Sequence, residues 1–174
     1  MTPVRAAKAE LRKVIRNALS SMSPEQKQSE TESLVMKFLM CPALCTFRTF
    51  LKSGSRKCFV PRFDGTGMHM LRVHSFEDYN TLPLNKWNIS QPESCDGREE
   101  GVSAGLDLIL VPGLAFTKDG VRLGRGKGYY DSYIARCLEA GLKPHLLSLS
   151  FSCQLCENIP VTDRDRNVDR VILP

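Results

Sequence analysis

The chain lacks any apolar run near the ~20 residues that a membrane-spanning helix needs. Its first residues also lack the basic start and apolar core of a secretory signal. We therefore expect no membrane segment and a protein of the cell interior, in the cytoplasm rather than in the mitochondrion. The basic residues within 1–20 imitate a mitochondrial presequence, but a first helix of the domain is the favoured interpretation.

Histidine is scarce, with three residues, and the seven cysteines are odd in number. His69, His74 and His145 stand in strand-like runs, and we treat them as structural. An odd cysteine count without a secretory signal predicts reduced thiols. Cys41–Cys45 and Cys153–Cys156 together offer four candidate zinc ligands, but both pairs lie in apolar surroundings, so packed thiols are favoured over zinc.

The composition of the 174 residues, 42% apolar and 25% charged, is that of a globular protein. We expect one domain over residues 1–174, because no repeat or linker divides the chain. The net charge of +5 favours anionic ligands, yet the excess is too small to require nucleic acid.

The most informative segment is Arg122–Asp131 (RLGRGKGYYD), which interleaves three glycines with three cations. Glycines let backbone N–H groups approach an anion closely, while Arg and Lys supply charge and directed donors. The segment fits neither a Walker A loop, which Val121 and Gly128 break, nor the dinucleotide fingerprint, which Tyr129 breaks. Two interpretations remain open from these residues, a phosphate loop that ends at a helix N-terminus and a basic surface turn.

The order of predicted elements indicates an α/β fold. Ser23 followed by Pro24 and Gln26 predicts a capped helix start. A Pro-Gly pair ends the apolar run 106–111, which is typical of a parallel strand buried on both faces. The predicted helices are 4–20, 23–40 and 129–139, the predicted strands are 57–63, 68–74, 106–111, 145–151 and 170–173, and residues 88–105 are predicted to be a surface connection. We therefore predict a single-domain αβα layer sandwich with a mainly parallel sheet, whose ligands lie beyond the strand carboxyl ends.

Several motifs resemble the 5-formyltetrahydrofolate cyclo-ligase family, also called methenyltetrahydrofolate synthetases. They are Ala7-Lys8-x-x-Leu11-Arg12, Phe59-Val60-Pro61-Arg62, Trp87-Asn88-Ile89-x-Gln91-Pro92, Leu106-Asp107-Leu108-Ile109 with Pro112-Gly113, the Arg122–Asp131 segment, and Val168-Asp169. The resemblance implies an enzyme that uses MgATP to convert 5-formyltetrahydrofolate, with or without a polyglutamate tail, into 5,10-methenyltetrahydrofolate. We also expect a monomer with no nucleic-acid or membrane partner.

The resemblance assigns roles to individual residues. It implies catalytic roles for Arg125 and Lys127, and substrate contacts from Arg125, Gly126, Lys127, Gly128, Tyr129 and Trp87. It implies ATP contacts from Lys8, Ala9, Glu10, Leu11, Arg12, Arg122, Leu123, Gly124, Arg125, Gly126, Lys127, Gly128, Tyr129 and Tyr130, and Mg²⁺ ligation by Asp131 and Asp169.

Each assignment has a structural alternative. Lys8 and Arg12 also suit a solvated helix face, and Trp87 also suits the core. Asp131 also suits a first-turn complement to the helix dipole, and Asp169 an ordinary loop acid.

The chain departs from the family pattern in two places. Residues 38–55 occupy a space where family members have a longer segment, and no Asp or Glu occurs from Ser33 to Phe63. A substrate-contacting Glu therefore has no counterpart and one parallel strand is missing, unless residues 45–51 supply a substitute. The alternative function is a shortened member that binds nucleotide or folate without turnover. Thr117 replaces a usual Asp, and its hydroxyl can still support a turn.

Overall fold

The structure is a computed structural model that describes residues 2–40, 57–85, 87–93 and 97–174. Cys41, Cys45 and the proposed substitute strand at 45–51 lie outside the described residues. The prediction of a missing parallel strand also concerns that segment, so it stays a prediction.

Two helices open the chain, as the sequence predicts. Helix α1 spans Pro3–Ser21 and helix α2 spans Pro24–Leu39. The Gln26 amide N–H donates to Ser23 Oγ at 3.1 Å, and the Ser23 N–H donates to Gln26 Oε1 at 3.0 Å. This capping box satisfies donors that a helix start otherwise leaves unpaired, so the predicted boundary is confirmed.

An antiparallel hairpin follows, formed by strands β1 (Cys58–Phe63) and β2 (Met68–Val73). The Asp64 carboxylate accepts hydrogen bonds from the N–H groups of Thr66 and Gly67, which fixes the turn between the strands. A short helix α3 (Phe76–Thr81), capped by Ser75, comes next and was not predicted.

The parallel sheet contains β3 (Leu108–Leu110), β6 (His145–Leu149) and β7 (Arg170–Ile172), in the order β3-β6-β7. The predicted α/β fold with a parallel sheet is confirmed. The expectation that the 106–111 run is buried on both faces is wrong in part, because Ile109 is buried while Leu110 is 46% exposed. Among the described strands, β3 lies at the sheet edge, which leaves that side chain uncovered.

Helix α5 (Tyr129–Glu139) covers the parallel sheet through its apolar face. Burying such a face supplies the main favourable free energy of folding. The largest buried cluster joins this helix to β2, β3 and β6 and contains Met68, Met70, Ile109, Val111, Phe116, Tyr133, Ile134, Cys137, Leu146 and Val168.

A two-stranded hairpin, β4 (Ala115–Phe116) and β5 (Arg122–Leu123), joins the parallel sheet to helix α1. Ile15 of α1 packs in one buried cluster with Ala115 and Leu123. A 3-10 turn at Ser152–Gln154 also contacts α1. These contacts hold the first helix beside the strand that leads into the glycine-rich segment. The hairpin was not predicted because each strand has only two residues.

The prediction that residues 88–105 form only a surface connection is wrong in part. A four-residue helix α4 (Gly101–Ala104) lies within this segment, and Arg72 N–H donates to the Glu99 carbonyl at 3.0 Å. Gly101 is buried so tightly that an added Cβ would lie 2.8 Å from Tyr133 Oη. Contact with β2 and α5 therefore orders the carboxyl-terminal part of the 88–105 segment.

Candidate functional site

The glycine-rich loop, residues 124–128, joins β5 to the N-terminus of α5. Gly126 has φ 105° and Gly128, the N-cap residue of α5, has φ 71°. Side chains with a Cβ rarely adopt such φ values, so glycine is needed at both positions. Arg122 and Leu123, which were assigned to the loop, belong to strand β5 and are buried.

Arg122 points into the protein at the base of the loop. Its guanidinium donates to Asp131 Oδ1 at 2.6 Å and to the Pro112 carbonyl at 3.0 Å, and its side chain is only 4% exposed. An added Cβ on Gly124 would lie 3.1 Å from Arg122 Nη1, so the loop backbone lies directly on the guanidinium. The geometry therefore favours support of the loop by Arg122 over direct contact with a ligand.

Arg125 and Lys127 differ from Arg122 because both are exposed. Within the described residues, neither side chain forms a hydrogen bond or an ion pair with another side chain. Two cations of the glycine-rich loop, separated by one glycine, are therefore available to an anionic ligand.

Arg12 of α1 contacts the loop from its other side, and Lys8 lies one helical turn before it. Arg12 Nε donates to the Gly124 carbonyl at 2.9 Å, and its Cζ lies 3.5 Å from where a Gly126 Cβ would be. Burial, followed by repulsion from Arg16, lowers the pKa of Arg12, and Asp165 opposes this. Lys8 is buried against Asp165, with Nζ 2.5 Å from Oδ2. The interpretation of both residues as a solvated helix face is therefore wrong.

The other residues of the predicted α1 motif lie on different sides of the helix. Ala9 and Glu10 are exposed, while Leu11 packs against the cluster that contains Ile15. Their predicted ATP contacts stay predictions.

Three aromatic rings form a row beside the loop. The Tyr129 and Phe63 ring centroids are 5.0 Å apart, and those of Phe63 and Trp87 are 6.5 Å apart in an edge-on arrangement. Trp87 is 55% exposed, so its assignment to the core is wrong. Tyr130, which follows Tyr129 in the sequence, is half-buried, and burial raises the pKa of its phenol.

The two carboxylates predicted to hold a metal each have protein partners. Asp131 Oδ1 accepts from Arg122 and from the Arg166 N–H, while Asp169 Oδ2 accepts from the Leu146 N–H at 2.7 Å. His145 Nδ1 lies 3.3 Å from the same Asp169 oxygen. Over the described ranges, no group of three or more His, Cys, Asp or Glu side chains is placed to hold a metal ion.

Two further residues bear on the sequence predictions, one that was missed and one whose predicted role the contacts test. Asp165 was not predicted, although Thr162 lies only three residues before it and donates its N–H to Asp165 Oδ2 at 2.6 Å. Thr117 Oγ1 accepts from the Val121 N–H at 3.1 Å, which confirms that this hydroxyl supports a turn.

Together, the parallel sheet, the supported glycine-rich loop and its free cations define an α/β protein with a candidate site for an anionic ligand. No helix in the described ranges is both long and apolar enough to cross a membrane. A family model described as "5-formyltetrahydrofolate cyclo-ligase family" matches residues 42–174. The chain belongs to this family, as its motifs predict.

Individual relatives agree with this assignment. The chain is 50% identical to the mouse 5-formyltetrahydrofolate cyclo-ligase over 119 residues, covering 66% of this chain and 59% of that protein. It is 30% identical to a probable 5-formyltetrahydrofolate cyclo-ligase of Caenorhabditis elegans, covering 99% of this chain and 95% of that protein. The structure is similar to that of 5,10-methenyltetrahydrofolate synthetase of Aquifex aeolicus, with a TM-score of 0.72 and 25% identity over 95% of this chain and 89% of that chain.

Proposed function

We propose that this chain uses MgATP to convert 5-formyltetrahydrofolate into 5,10-methenyltetrahydrofolate, with release of ADP and phosphate. The observation that carries the proposal is the position of exposed Arg125 and Lys127 beside the row of Tyr129, Phe63 and Trp87. Phosphates suit the cations, and the flat rings of a folate suit the aromatic side chains. One loop can therefore bring both substrates together.

The proposed reaction needs positioning more than acid–base chemistry. The formyl oxygen attacks the γ-phosphorus and the bond to ADP breaks. N10 of the folate then bonds to the formyl carbon and loses its proton to solvent, and the formyl oxygen leaves within inorganic phosphate. Arg125 and Lys127 neutralise the transferring phosphoryl group, while the loop backbone orients it.

The nucleotide is proposed to lie between the loop and helix α1. Residues 124–130 are proposed to face the nucleotide from one side and residues 8–12 from the other. Arg122 supports the loop at its base. Arg125 to Tyr129 are proposed to face the folate as well, with Trp87 stacked on one of its rings.

Asp131 and Asp169 are proposed to hold the Mg²⁺ ion. Mg²⁺ usually binds one or two carboxylates together with substrate phosphates and waters, so a larger acidic cluster is not needed. The hydrogen bonds described above are accepted by Asp131 Oδ1 and Asp169 Oδ2. Arg166, whose N–H donates to Asp131, is three residues before Asp169 in the sequence. Bound there, the ion would offset charge on the nucleotide phosphates.

The test is to measure methenyltetrahydrofolate formation from 5-formyltetrahydrofolate with and without MgATP. We expect turnover that requires MgATP and that Lys127→Ala abolishes. Lys118→Ala, which removes an exposed lysine from the turn between β4 and β5, is the matched control and should retain turnover. Turnover without ATP, or equal loss in both variants, would contradict the proposal.

A second candidate is a shortened member that binds nucleotide or folate without turnover. The alignment with the Caenorhabditis elegans relative runs over 196 positions, more than the 174 residues here, so this chain lacks residues that the relative has. Among the described strands, β3 is at the sheet edge, and the exposure of its Leu110 also suits a lost neighbouring strand. Binding of ATP or folate without product formation would support this candidate.

The shortened-chain hypothesis has its own test. A full-length family segment is restored between Met40 and Phe50, and thermal midpoints and turnover are compared. We expect the restored chain to have the higher midpoint, because a parallel strand covers apolar surface worth several kcal/mol at ~25 cal/mol per Å². Equal midpoints and equal activity would rule out the hypothesis.

The location and assembly remain part of the proposal. We propose a cytoplasmic monomer that accepts folate with or without a polyglutamate tail and binds no nucleic acid. Sedimentation velocity at several protein concentrations tests the monomer, since a self-associating protein would sediment faster as its concentration rises.

A further inference from the structure

We infer that Asp165 is a positioning residue for the nucleotide site, acting through Lys8. The inference rests on the proposed function, because it takes Lys8 to contact the phosphates of ATP. Asp165 matches none of the residues to which the family resemblance gives a role.

The Asp165 carboxylate is held firmly by its own segment. Its Oδ2 accepts hydrogen bonds from the Thr162 N–H at 2.6 Å and from Thr162 Oγ1 at 2.8 Å, and the Asp165 N–H donates to the Thr162 carbonyl at 3.0 Å. Because three hydrogen bonds join two residues within one turn, the carboxylate has little freedom to move. The Asp165 carboxylate therefore holds a fixed position facing α1.

Lys8 is the group that this carboxylate positions. Its Nζ lies 2.5 Å from Asp165 Oδ2, across 157 residues of sequence, and its side chain is 9% exposed. A lysine side chain is flexible and its ammonium has three N–H donors. The contact with Asp165 takes one donor and fixes the nitrogen, which leaves two donors for phosphate oxygens.

The same helix face connects this pair to the glycine-rich loop. Arg12 lies one turn after Lys8 and donates to the Gly124 carbonyl, and Asp165 acts on the Arg12 charge as well. A displacement of Asp165 therefore affects Lys8, Arg12 and the loop that Arg12 supports. Ala9 and Glu10, on the exposed side of the helix, have no such connection.

The test measures ATP affinity directly, by calorimetric titration with MgATP, in the full chain. Asp165→Asn keeps the side-chain shape but removes the charge, and Thr162→Val keeps the charge but removes one hydrogen bond that fixes it. Asp163→Asn removes the same charge from an exposed neighbour and is the matched control. Thermal midpoints of all variants are measured alongside.

We expect Asp165→Asn to weaken ATP binding about tenfold, as the loss of a charge-assisted hydrogen bond at the site would. Thr162→Val should weaken it several-fold, while Asp163→Asn should bind ATP as the unaltered chain does or more tightly. The KM for ATP should rise more than the KM for 5-formyltetrahydrofolate, which a general loss of stability would not produce. Asp165→Glu, which restores the charge, should recover part of the affinity.

The outcomes separate the inference from the proposed function. If the unaltered chain binds no ATP, the proposed function fails. If it binds ATP and Asp165→Asn binds equally well or more tightly, the inference is wrong. Should Asp165→Asn fail to fold, Thr162→Val still decides, because unchanged ATP affinity in that variant would overturn the positioning role.

Discussion

Arg122 and Asp131, nine residues apart, close the base of the glycine-rich loop through an ion pair of 2.6 Å between Nη2 and Oδ1. The pair joins strand β5 to the first turn of helix α5, so the two ends of the loop are held together. Arg125 and Lys127, between them, carry no such restraint. Within one segment, one cation therefore supports the loop, while two others are exposed and available to a ligand.

The first prediction separates these two roles. Arg122→Met should lower the free energy of unfolding by about 3 kcal/mol, because it leaves Asp131 without its buried partner. Arg125→Gln, at an exposed position of the loop itself, should change the free energy of unfolding by less than about 0.5 kcal/mol while impairing turnover. Urea denaturation of both variants measures the difference, and equal stability losses would show that Arg122 is no more structural than Arg125.

The second prediction concerns Gly120, in the turn between β4 and β5. It has φ 84°, and an added Cβ would lie 2.0 Å from the Val168 carbonyl oxygen. Gly120→Ala should therefore destabilise the fold by more than the roughly 1–3 kcal/mol of backbone strain alone. Gly65→Ala, with φ 96° and open space around the added Cβ, is the matched control and should show only the strain. Similar thermal midpoints for the two variants would contradict the expected clash.

The third prediction is a dependence of stability on pH through Asp78. Hydrogen bonds from Arg98, and then from the His74 N–H, hold the pKa of this carboxyl well below its usual range. A carboxyl with a lowered folded-state pKa stabilises the fold above its unfolded pKa of about 3.9, and this contribution is lost as the pH falls below that value.

Asp78→Asn should therefore unfold at lower urea concentration than the unaltered chain at pH 7. The difference should shrink at low pH, where the unaltered carboxyl becomes protonated. Asp119→Asn, at an exposed turn position, serves as control and should follow the unaltered chain at both pH values. A difference that stays constant with pH would exclude the Asp78 charge as its cause.

The fourth prediction orders the reactivity of the described cysteines. Cys58 is exposed, whereas burial raises the thiol pKa of Cys137, Cys153 and Cys156. Because the thiolate is the reactive form, iodoacetamide at neutral pH should label Cys58 first and buried Cys137 last. Peptide mass spectrometry over time measures the order, with urea-unfolded protein as the control in which the differences vanish. Early labelling of Cys137 in the folded chain would contradict its burial.

Local patterns in the sequence were sufficient for several elements. The Ser23 capping box and the start of α5 after Gly128 both depend on residues within a few positions of one another. Such features follow from backbone geometry and nearby hydrogen bonds, and the structure confirms them. The family motifs likewise identify the family, because they are contiguous runs of residues.

Other features depended on residues that are distant in the chain. The pairing of Lys8 with Asp165 and the order within 88–105 both arise from packing between separate segments. The inward direction of Arg122 was also hidden, since its position in the loop motif is the same whether it contacts a ligand or Asp131.

By itself, the sequence determined the family, the α/β class, and the glycine-rich loop with the three cations in and beside it. Only the tertiary structure decided which cations support that loop and which remain free for a ligand. The reason is physical: a charged side chain is committed by the partner that packing brings within hydrogen-bond distance, and for Lys8 that partner is 157 residues away.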